Sequence, residues 1–461
     1  MMRNCGNKLM AWVDERLPVT QFVREHLTRY YAPKNFNVLY FFGSLALLVL
    51  VNQILTGVFL AMNYKPDAAT AFDSVEYIMR DVNWGWLLRY LHSTGASAFF
   101  IVIYLHMFRA LFYGSYKNPR ELLWLFGMVL FVLLMAEAFM GYLLPWGQMS
   151  YWGAQVIISL FSAVPVIGDD LATWIRGDFV VADATLNRFF SLHVVAVPLL
   201  IVGIVVLHVM ALHHVGSNNP DGIDIKKKKD EKGIPLDGIP FHPYYTVKDL
   251  YGVAVFLLIF FWAIFYAPEM GGMFLEPPNF EPANAMKTPD HIAPVWYFTP
   301  FYSILRAVPS KSWGVVAMGG SLVVLFILPW LDRSSVRSVR YRGAYYRNAL
   351  WVFVLCFIGL GYLGMRPATP VATLMARVLA LGYFCFFVLM PLYTRLDRDR
   401  TPPERLTEAV IPLEQREGRG WDFVRWAIDR GQASPLYTRI MGHYNVLLEQ
   451  VRAYYFKAKK P

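Results

Sequence analysis

The chain has 461 residues, 56% of them hydrophobic and 16% charged, with a formal net charge of +10. Soluble domains average about 45–50% apolar, and the recurring runs of about 18 or more apolar residues exclude an ordinary soluble globule. Lysine and arginine sit between those runs, so the basic balance sets membrane orientation and does not point to nucleic acid.

In chain order, residues 1–38 are polar and amphipathic. They lack the apolar stretch of a cleavable signal peptide, so the first span is expected to insert as a mature helix. Eight spans are expected, at roughly 39–62, 87–113, 122–143, 189–213, 250–268, 313–331, 349–366 and 371–394. The fold class is therefore an all-α membrane protein with eight transmembrane helices, the first four forming a bundle. The expected organisation is a cytoplasmic N-terminal segment 1–38, the bundle 39–215, a basic loop 216–249, a C-terminal four-helix region 250–395 and a polar tail 396–461. The tail has helical periodicity near Trp421–Ile428.

Alternate connections carry the positive charge: Arg3, Lys8, Arg16, Arg24, Arg29 and Lys34 before the first span, then Lys117 and Arg120, then Lys226 to Lys229 with Lys232, then Arg333, Arg337, Arg340, Arg342 and Arg347. The tail adds Arg395, Arg398 and Arg400. The positive-inside rule puts both termini in the cytoplasm. The opposite loops, 144–188 and 267–312, are long and rich in Trp, Pro and Phe. Loops of that length are usually functional or disordered, and these are expected to fold onto the membrane surface.

The chemistry lies in a ladder of histidines and glycines. His92 and His106 are 14 residues apart on the second span, and His193 and His208 are 15 apart on the fourth. At ~100° and ~1.5 Å per residue, each pair shares a helix face and is separated by about 21–22 Å along the axis. The two spans run in the same direction, so His92 lies level with His193 and His106 with His208. Gly43 and Gly57 on the first span, and Gly127 and Gly141 on the third, repeat the 14-residue spacing. Paired imidazoles with glycine at matching levels suit a flat plate held edge-on in a bundle, because only glycine lets a backbone approach so closely. The plates are two b-type haems with bis-histidine ligation, iron being the metal at His92–His193 and His106–His208. Cys5, Cys356 and Cys385 form no C-x-x-C-H attachment and no zinc pattern, so the haems are held by coordination alone. A lone intramembrane His or Gly is often only packing; it is the shared spacing of eight residues that carries the reading. Arg89 and Arg109 stand three residues outside the second-span histidines, either as partners of haem propionates or as snorkelling anchors.

The stretches NVLYFFGSLALLVLVNQILTGVFLAMNY from Asn37, LLRYLHSTGAS from Leu87, GYLLPWGQMSYWGAQVI from Gly141, RFFSLH ending at His193, GSNNPDG from Gly216, FHPYYTVKDLYG from Phe241 and HIAPVWYFTPFYSILRA from His291 resemble cytochrome b of the respiratory cytochrome bc complexes, bacterial type. The resemblance covers roughly residues 10–395. It implies an electron-transfer subunit that oxidises ubiquinol outside and reduces quinone inside, coupled to proton translocation across a bacterial inner membrane. It makes His92–His193 the outer, low-potential haem and His106–His208 the inner, high-potential one. It implies a Rieske iron–sulfur protein and a c-type cytochrome as partners, quinone and membrane lipid around the chain, and a homodimeric complex.

The resemblance assigns Tyr151, Trp152 and Gly153 with Pro294, Trp296 and Tyr297 to the outer quinol site, and His213, Ser217, Asn218, Lys248 and Asp249 to the inner quinone site, with the adjacent His214 as the alternative to His213 in facing the quinone. Three departures stand out. The His193–His208 interval is 15, where the mitochondrial type usually has 14 and chloroplast-type and some bacterial relatives have 15. The family's Pro-Glu-Trp-Tyr motif has Val295 in place of the glutamate, leaving Glu276 and Glu281 upstream as alternative proton acceptors, with Glu276 the expected one. Glu137 lies four residues before Gly141, where a carboxylate within a span is costly. Two other readings weigh against this one. A generic di-haem anchor would not need spans five to eight, and a histidine-based proton transporter would carry no haem.

Overall fold

The computed structural model describes residues 10–18, 20–21 and 30–406. The helical reading at Trp421–Ile428, the basic residues Arg3, Lys8, Arg24 and Arg29, and Cys5 lie outside them. Eight helices are long and apolar enough to cross a membrane. In chain order the helices are α1 Phe42–Ala61, α2 Ala71–Arg80, α3 Gly85–Tyr113, α4 Glu121–Leu143, α5 Gln148–Phe161, α6 Gly168–Arg176, α7 Asp183–Val215, α8 Tyr244–Tyr266, α9 Thr299–Ala307, α10 Lys311–Leu331, α11 Ala344–Gly364, α12 Pro370–Val388 and α13 Met390–Leu396. Among the described residues the only sheet is a two-stranded ladder, β1 Tyr31–Pro33 antiparallel to β2 Gly238–Pro240, with Tyr31 opposite Pro240.

These helices form because lipid leaves no solvent partner for backbone groups, so each apolar run must close its hydrogen bonds within itself. Their outward faces stay apolar: Leu47, Val51, Leu55 and Val58 on α1, and Leu199, Val202, Val206 and Met210 on α7, are exposed. Chain punctuation sets the ends. Gly114, with φ +62°, closes α3 in the left-handed region, and a side chain there would strike the Arg337 backbone. Pro370 opens α12 while the Thr369 hydroxyl accepts from the Ala372 amide at 3.2 Å.

Four boundaries depart from the sequence reading by five or six residues: α11 begins at Ala344 where 349 was expected, α12 ends at Val388 where 394 was expected, and the starts of α8 and α7 also move. Helix α8 begins at Tyr244, six residues before the expected 250, because the polar turn Tyr244–Asp249 continues the helix beyond its apolar run. Lys248 and Asp249 therefore lie inside the helix and not beside it. Helix α7 begins at Asp183, and its 33 residues, about 50 Å at ~1.5 Å each, exceed a ~30 Å hydrocarbon core. Its first turns, Asp183–Ser191, are its polar part, with Asp183, Asn187 and Arg188 ahead of the apolar run.

Helix α1 packs along α3, and α4 along α7, making the four-helix bundle. The later helices α9 to α12 pack on one another, and α10 lies against α4. At the face that carries the basic loops, a buried cluster ties the two halves together. Asp332 accepts from Arg342 Nη1 at 3.0 Å and Nη2 at 2.5 Å, and from the Tyr116 hydroxyl at 2.7 Å. Lys117 Nζ stands 3.0 Å from the same carboxylate. The opposite face carries α5, α6 and residues 268–298, which are docked together: Gln148 N donates to Glu281 O at 3.0 Å, and Ala283 N to Trp146 O at 2.9 Å.

Candidate functional site: paired histidines and two flanking clefts

The ladder residues come from antiparallel helix pairs. On α1 and α3, a Cβ built on Gly57 would lie 3.2 Å from His92 Cε1, and one on Gly43 would lie 3.4 Å from His106 Cε1. On α4 and α7, a Cβ on Gly127 would lie 3.3 Å from His208 Cε1, and one on Gly141 would collide with the His193 ring. The glycines thus clear room for the imidazoles themselves, where the sequence had suggested room for the edge of a plate.

Across the bundle, the His92 and His193 ring centroids are 6.1 Å apart, and those of His106 and His208 are 6.5 Å apart. Two imidazoles ligating one metal at about 2 Å per bond put their centroids roughly 6 Å apart. Among the described residues, no three His, Cys, Asp or Glu side chains converge on a metal-sized site. Two nitrogens per level, with the remaining equatorial positions left to a macrocycle, is the donor set a bis-histidine haem requires. The tautomers agree at one level. The Thr56 hydroxyl donates to Asn52 O at 2.6 Å, so at 2.9 Å it accepts from His92 Nδ1. His193 Nδ1 donates to Glu137 O at 2.9 Å. Both leave Nε2 as the free lone pair. Arg109 does not snorkel: its guanidinium lies over the Tyr40 ring, and Nη2 is 3.3 Å from His106 Nδ1. Its Nε is buried with no partner among the described residues, a donor left over for an anionic group such as a propionate. Arg89 is half-buried at the other level.

The interval of 15 residues between His193 and His208 has a local cause. Leu192–Ala196 is a π-helical turn inside α7. Such a turn accommodates one extra residue without ending the helix. The pair therefore keeps the phase of the 14-residue pair on α3.

Beside the His92–His193 level lies an aromatic cleft on the opposite face. Tyr297 stacks on Phe100 at 3.9 Å, and its carbonyl accepts from the Tyr104 hydroxyl at 2.5 Å. Trp296 Nε1 donates to Ser97 Oγ at 3.1 Å, and Trp152 Nε1 to Asn284 O at 3.2 Å. Tyr151 is buried and Pro294 half-buried. A Cβ on Gly153 would meet Tyr142 Cε1 at 3.8 Å. The Tyr142 hydroxyl donates to Glu276 Oε2 at 2.9 Å, and Asn279 Nδ2 donates to the same oxygen at 3.1 Å. Burial pushes the Glu276 carboxyl up to about 7, against the pull of these donors. Burial first, and Glu276 second, hold the Tyr297 phenol above its usual range. Glu281 is exposed, and Val295 is sealed in the wall. Tyr142 was not singled out from sequence, since nothing local marks it as the partner of a loop 134 residues away, and Asn279, three residues from Glu276 in that loop, carries no motif of its own.

Two family models match the chain, cytochrome b/b6/petB over residues 27–216 and cytochrome b (C-terminal)/b6/petD over residues 282–384. A cytochrome b from Allochromatium vinosum is 61% identical over 406 residues, covering 86% of this chain and 98% of that protein. The chain belongs to the cytochrome b family. A cytochrome b/c1 from Bradyrhizobium diazoefficiens is 47% identical, covering 88% of this chain and 58% of that protein. A solved structure described as hyperthermophilic respiratory complex III superposes with TM-score 0.78 at 38% identity, covering 84% of this chain and 99% of that one. As a cytochrome b of the complex III type, the chain is a multi-pass membrane subunit of a quinol-oxidising electron-transfer complex.

At the basic face of this cytochrome b, the inner-site candidates meet the N-terminal segment. His213 stacks on Tyr30 at 4.6 Å, and Tyr30 hydrogen-bonds Ser217 Oγ at 2.8 Å. Lys248 Nζ donates to the Phe36 carbonyl at 2.7 Å, and Asp249 is hydrogen-bonded to Ser44. Asn218 turns elsewhere: it is buried, with Nδ2 donating to Tyr113 O at 2.6 Å and Ser115 Oγ at 3.1 Å. Its amide pins the loop to the end of α3. Tyr30 is the member that sequence reasoning missed, because its segment reads as an amphipathic leader.

Proposed function

We propose that this cytochrome b holds two b haems, by His92 with His193 and by His106 with His208, and that it oxidises ubiquinol in the Tyr151–Tyr297 cleft and reduces quinone near His213 and Asp249. The observation that carries the reading is the pair of histidine couples, 6.1 Å and 6.5 Å between centroids, each backed by glycines. When bound, the haems supply the one-electron carriers that join the two clefts. The chain's own residues supply the rest. Phe100, Tyr297, Trp296 and Trp152 wall a slot for a flat ring. Glu276, held by Tyr142 and Asn279, takes a proton from the quinol hydroxyl, the role that Val295 cannot fill. At the basic face, His213 and Asp249 deliver protons to reduced quinone.

The basic connections support a cytoplasmic setting for that face and for both termini, and the bacterial relatives favour an inner-membrane setting. A Rieske protein and a c-type cytochrome are the expected partners. The name cytochrome b/c1 of one relative supports the second of these, and a homodimeric complex in lipid completes the reading, with no nucleic acid involved.

A reduced-minus-oxidised spectrum of the purified complex tests the ligand set. Two b-type components are expected. His193→Leu should remove one of them and His208→Leu the other, and quinol-dependent reduction of c-type cytochrome should be lost in both. A wild-type spectrum without b haem would overturn the proposal.

A further inference from the structure

Glu137 lies one turn before Gly141 on α4 and faces α7. Its Oε1 is 3.0 Å from His193 Nδ1, and its own backbone oxygen is 2.9 Å from the same nitrogen. The two side chains are 16% and 14% exposed. The second carboxylate oxygen, Oε2, is buried with no hydrogen-bond partner among the described residues. An incompletely satisfied carboxyl group inside a span is costly, and the backbone oxygen alone would fix the His193 tautomer. Packing and tautomer control therefore leave the side chain unexplained. Nor do its counterparts need one: His92 uses the Thr56 hydroxyl, and His106 has Arg109 beside it. Among the described residues, none of His92, His106 and His208 is in an ion pair with an acid.

A carboxyl oxygen that accepts the Nδ1 proton of a ligating imidazole makes Nε2 the stronger donor and favours the oxidised metal. We propose that Glu137 is a positioning residue for the haem at the His92–His193 level, orienting the His193 ring and lowering that haem's potential relative to the other. The inference rests on the bis-histidine reading above. It concerns an asymmetry between the two levels that the histidine and glycine ladder does not contain.

Redox titration of the purified complex, followed by haem absorbance, tests it with Glu137→Gln and Glu137→Ala. Gln keeps the shape and an oxygen acceptor but loses the carboxyl group, and Ala loses both. In each, the reduced-to-oxidised ratio of the haem at the His193 level should rise three- to tenfold at fixed ambient potential, about 30–60 mV for a one-electron couple. The haem at the His208 level should titrate unchanged. Low-spin electron paramagnetic resonance, which reports the angle between the axial imidazole planes, should shift in Ala more than in Gln. Unshifted titrations with both haems present in the Gln variant would overturn the role of Glu137 alone. Absence of two b haems in the unsubstituted complex would overturn the ligand reading beneath it.

Discussion

At Val295, 3% exposed, the wall of the opposite-face cleft is apolar, and on the proposed reading a proton leaving quinol there finds its acceptor elsewhere. Two glutamates in the same loop compete for that role, and their surroundings separate them. Glu281 faces solvent, whereas Glu276 is half-buried, gripped by Tyr142 and Asn279 and near Tyr297. The sign of the pH dependence follows. Burial raises the Glu276 carboxyl to about 7, so below that pH it is protonated and cannot accept. Quinol oxidation at saturating substrate should climb about tenfold per pH unit on the acid side and level off above about 7. In Glu276→Gln that limb should vanish and the plateau rate fall roughly 10²-fold, measured as quinol-dependent cytochrome c reduction from pH 5 to 9. An unchanged profile would remove Glu276 from the proton path. From sequence, Glu276 and Glu281 differed only by position in a Pro-rich loop, since burial is set by α5, which packs against that loop from far along the chain.

At the scale of the element, α7 shows how a helix absorbs a spacing its partner does not share. The interval His92–His106 is 14 and the interval His193–His208 is 15, and the π-turn Leu192–Ala196 takes up the difference. Each residue advances an α-helix by ~100°, so one extra residue moves the second imidazole from about 40° on one side of its partner to about 60° on the other, and the π-turn brings it back toward the 14-residue phase. Deleting Val195, inside the π-turn, should straighten the helix and leave both histidines in phase. Inserting one alanine after Leu199, where α7 is regular, should rotate His193 away from its partner. The amount of b haem retained per complex, read by pyridine haemochrome, should be two in the deletion and one in the insertion. Loss of haem from both variants would mean that the π-turn is not the compensating element. The histidine intervals themselves were legible in the sequence because helical phase is a local property. The π-turn was not, because Leu-His-Val-Val-Ala carries no Gly, Pro or other marker of an inserted residue.

For the molecule as a whole, the four-helix bundle and the later helices are held together at the basic face by Asp332, Arg342, Lys117 and Tyr116. Burial by itself would raise the Asp332 carboxyl, but Arg342, then Lys117, and the Tyr116 hydroxyl outweigh it and hold the group ionised. Arg342→Ala strands that buried charge with one cation fewer and should cost about 3–5 kcal/mol. Arg347→Ala, on the exposed side of α11, should stay within about 0.5 kcal/mol. The midpoint of thermal haem loss from the detergent-solubilised complex reads both, and equal midpoints would show that the cluster does not hold the halves together.

The sequence by itself determined the eight spans, the helical class and the family, because apolar run length, helical phase and long motifs are written along the chain and need no distant partner. It also set out the histidine and glycine spacings that any bundle would have to use. Which side chains those spacings meet follows from packing. It turned the glycines toward the imidazoles and put Glu137 on His193. It spent Asn218 on the end of α3, brought Tyr30 onto His213, and gave Glu276 a tyrosine and an asparagine while leaving Glu281 in solvent. The physical reason is the same in each case: a buried polar group is defined by its hydrogen-bond partners and by its distance from water. Both are properties of the packed fold, contributed by segments tens to hundreds of residues away.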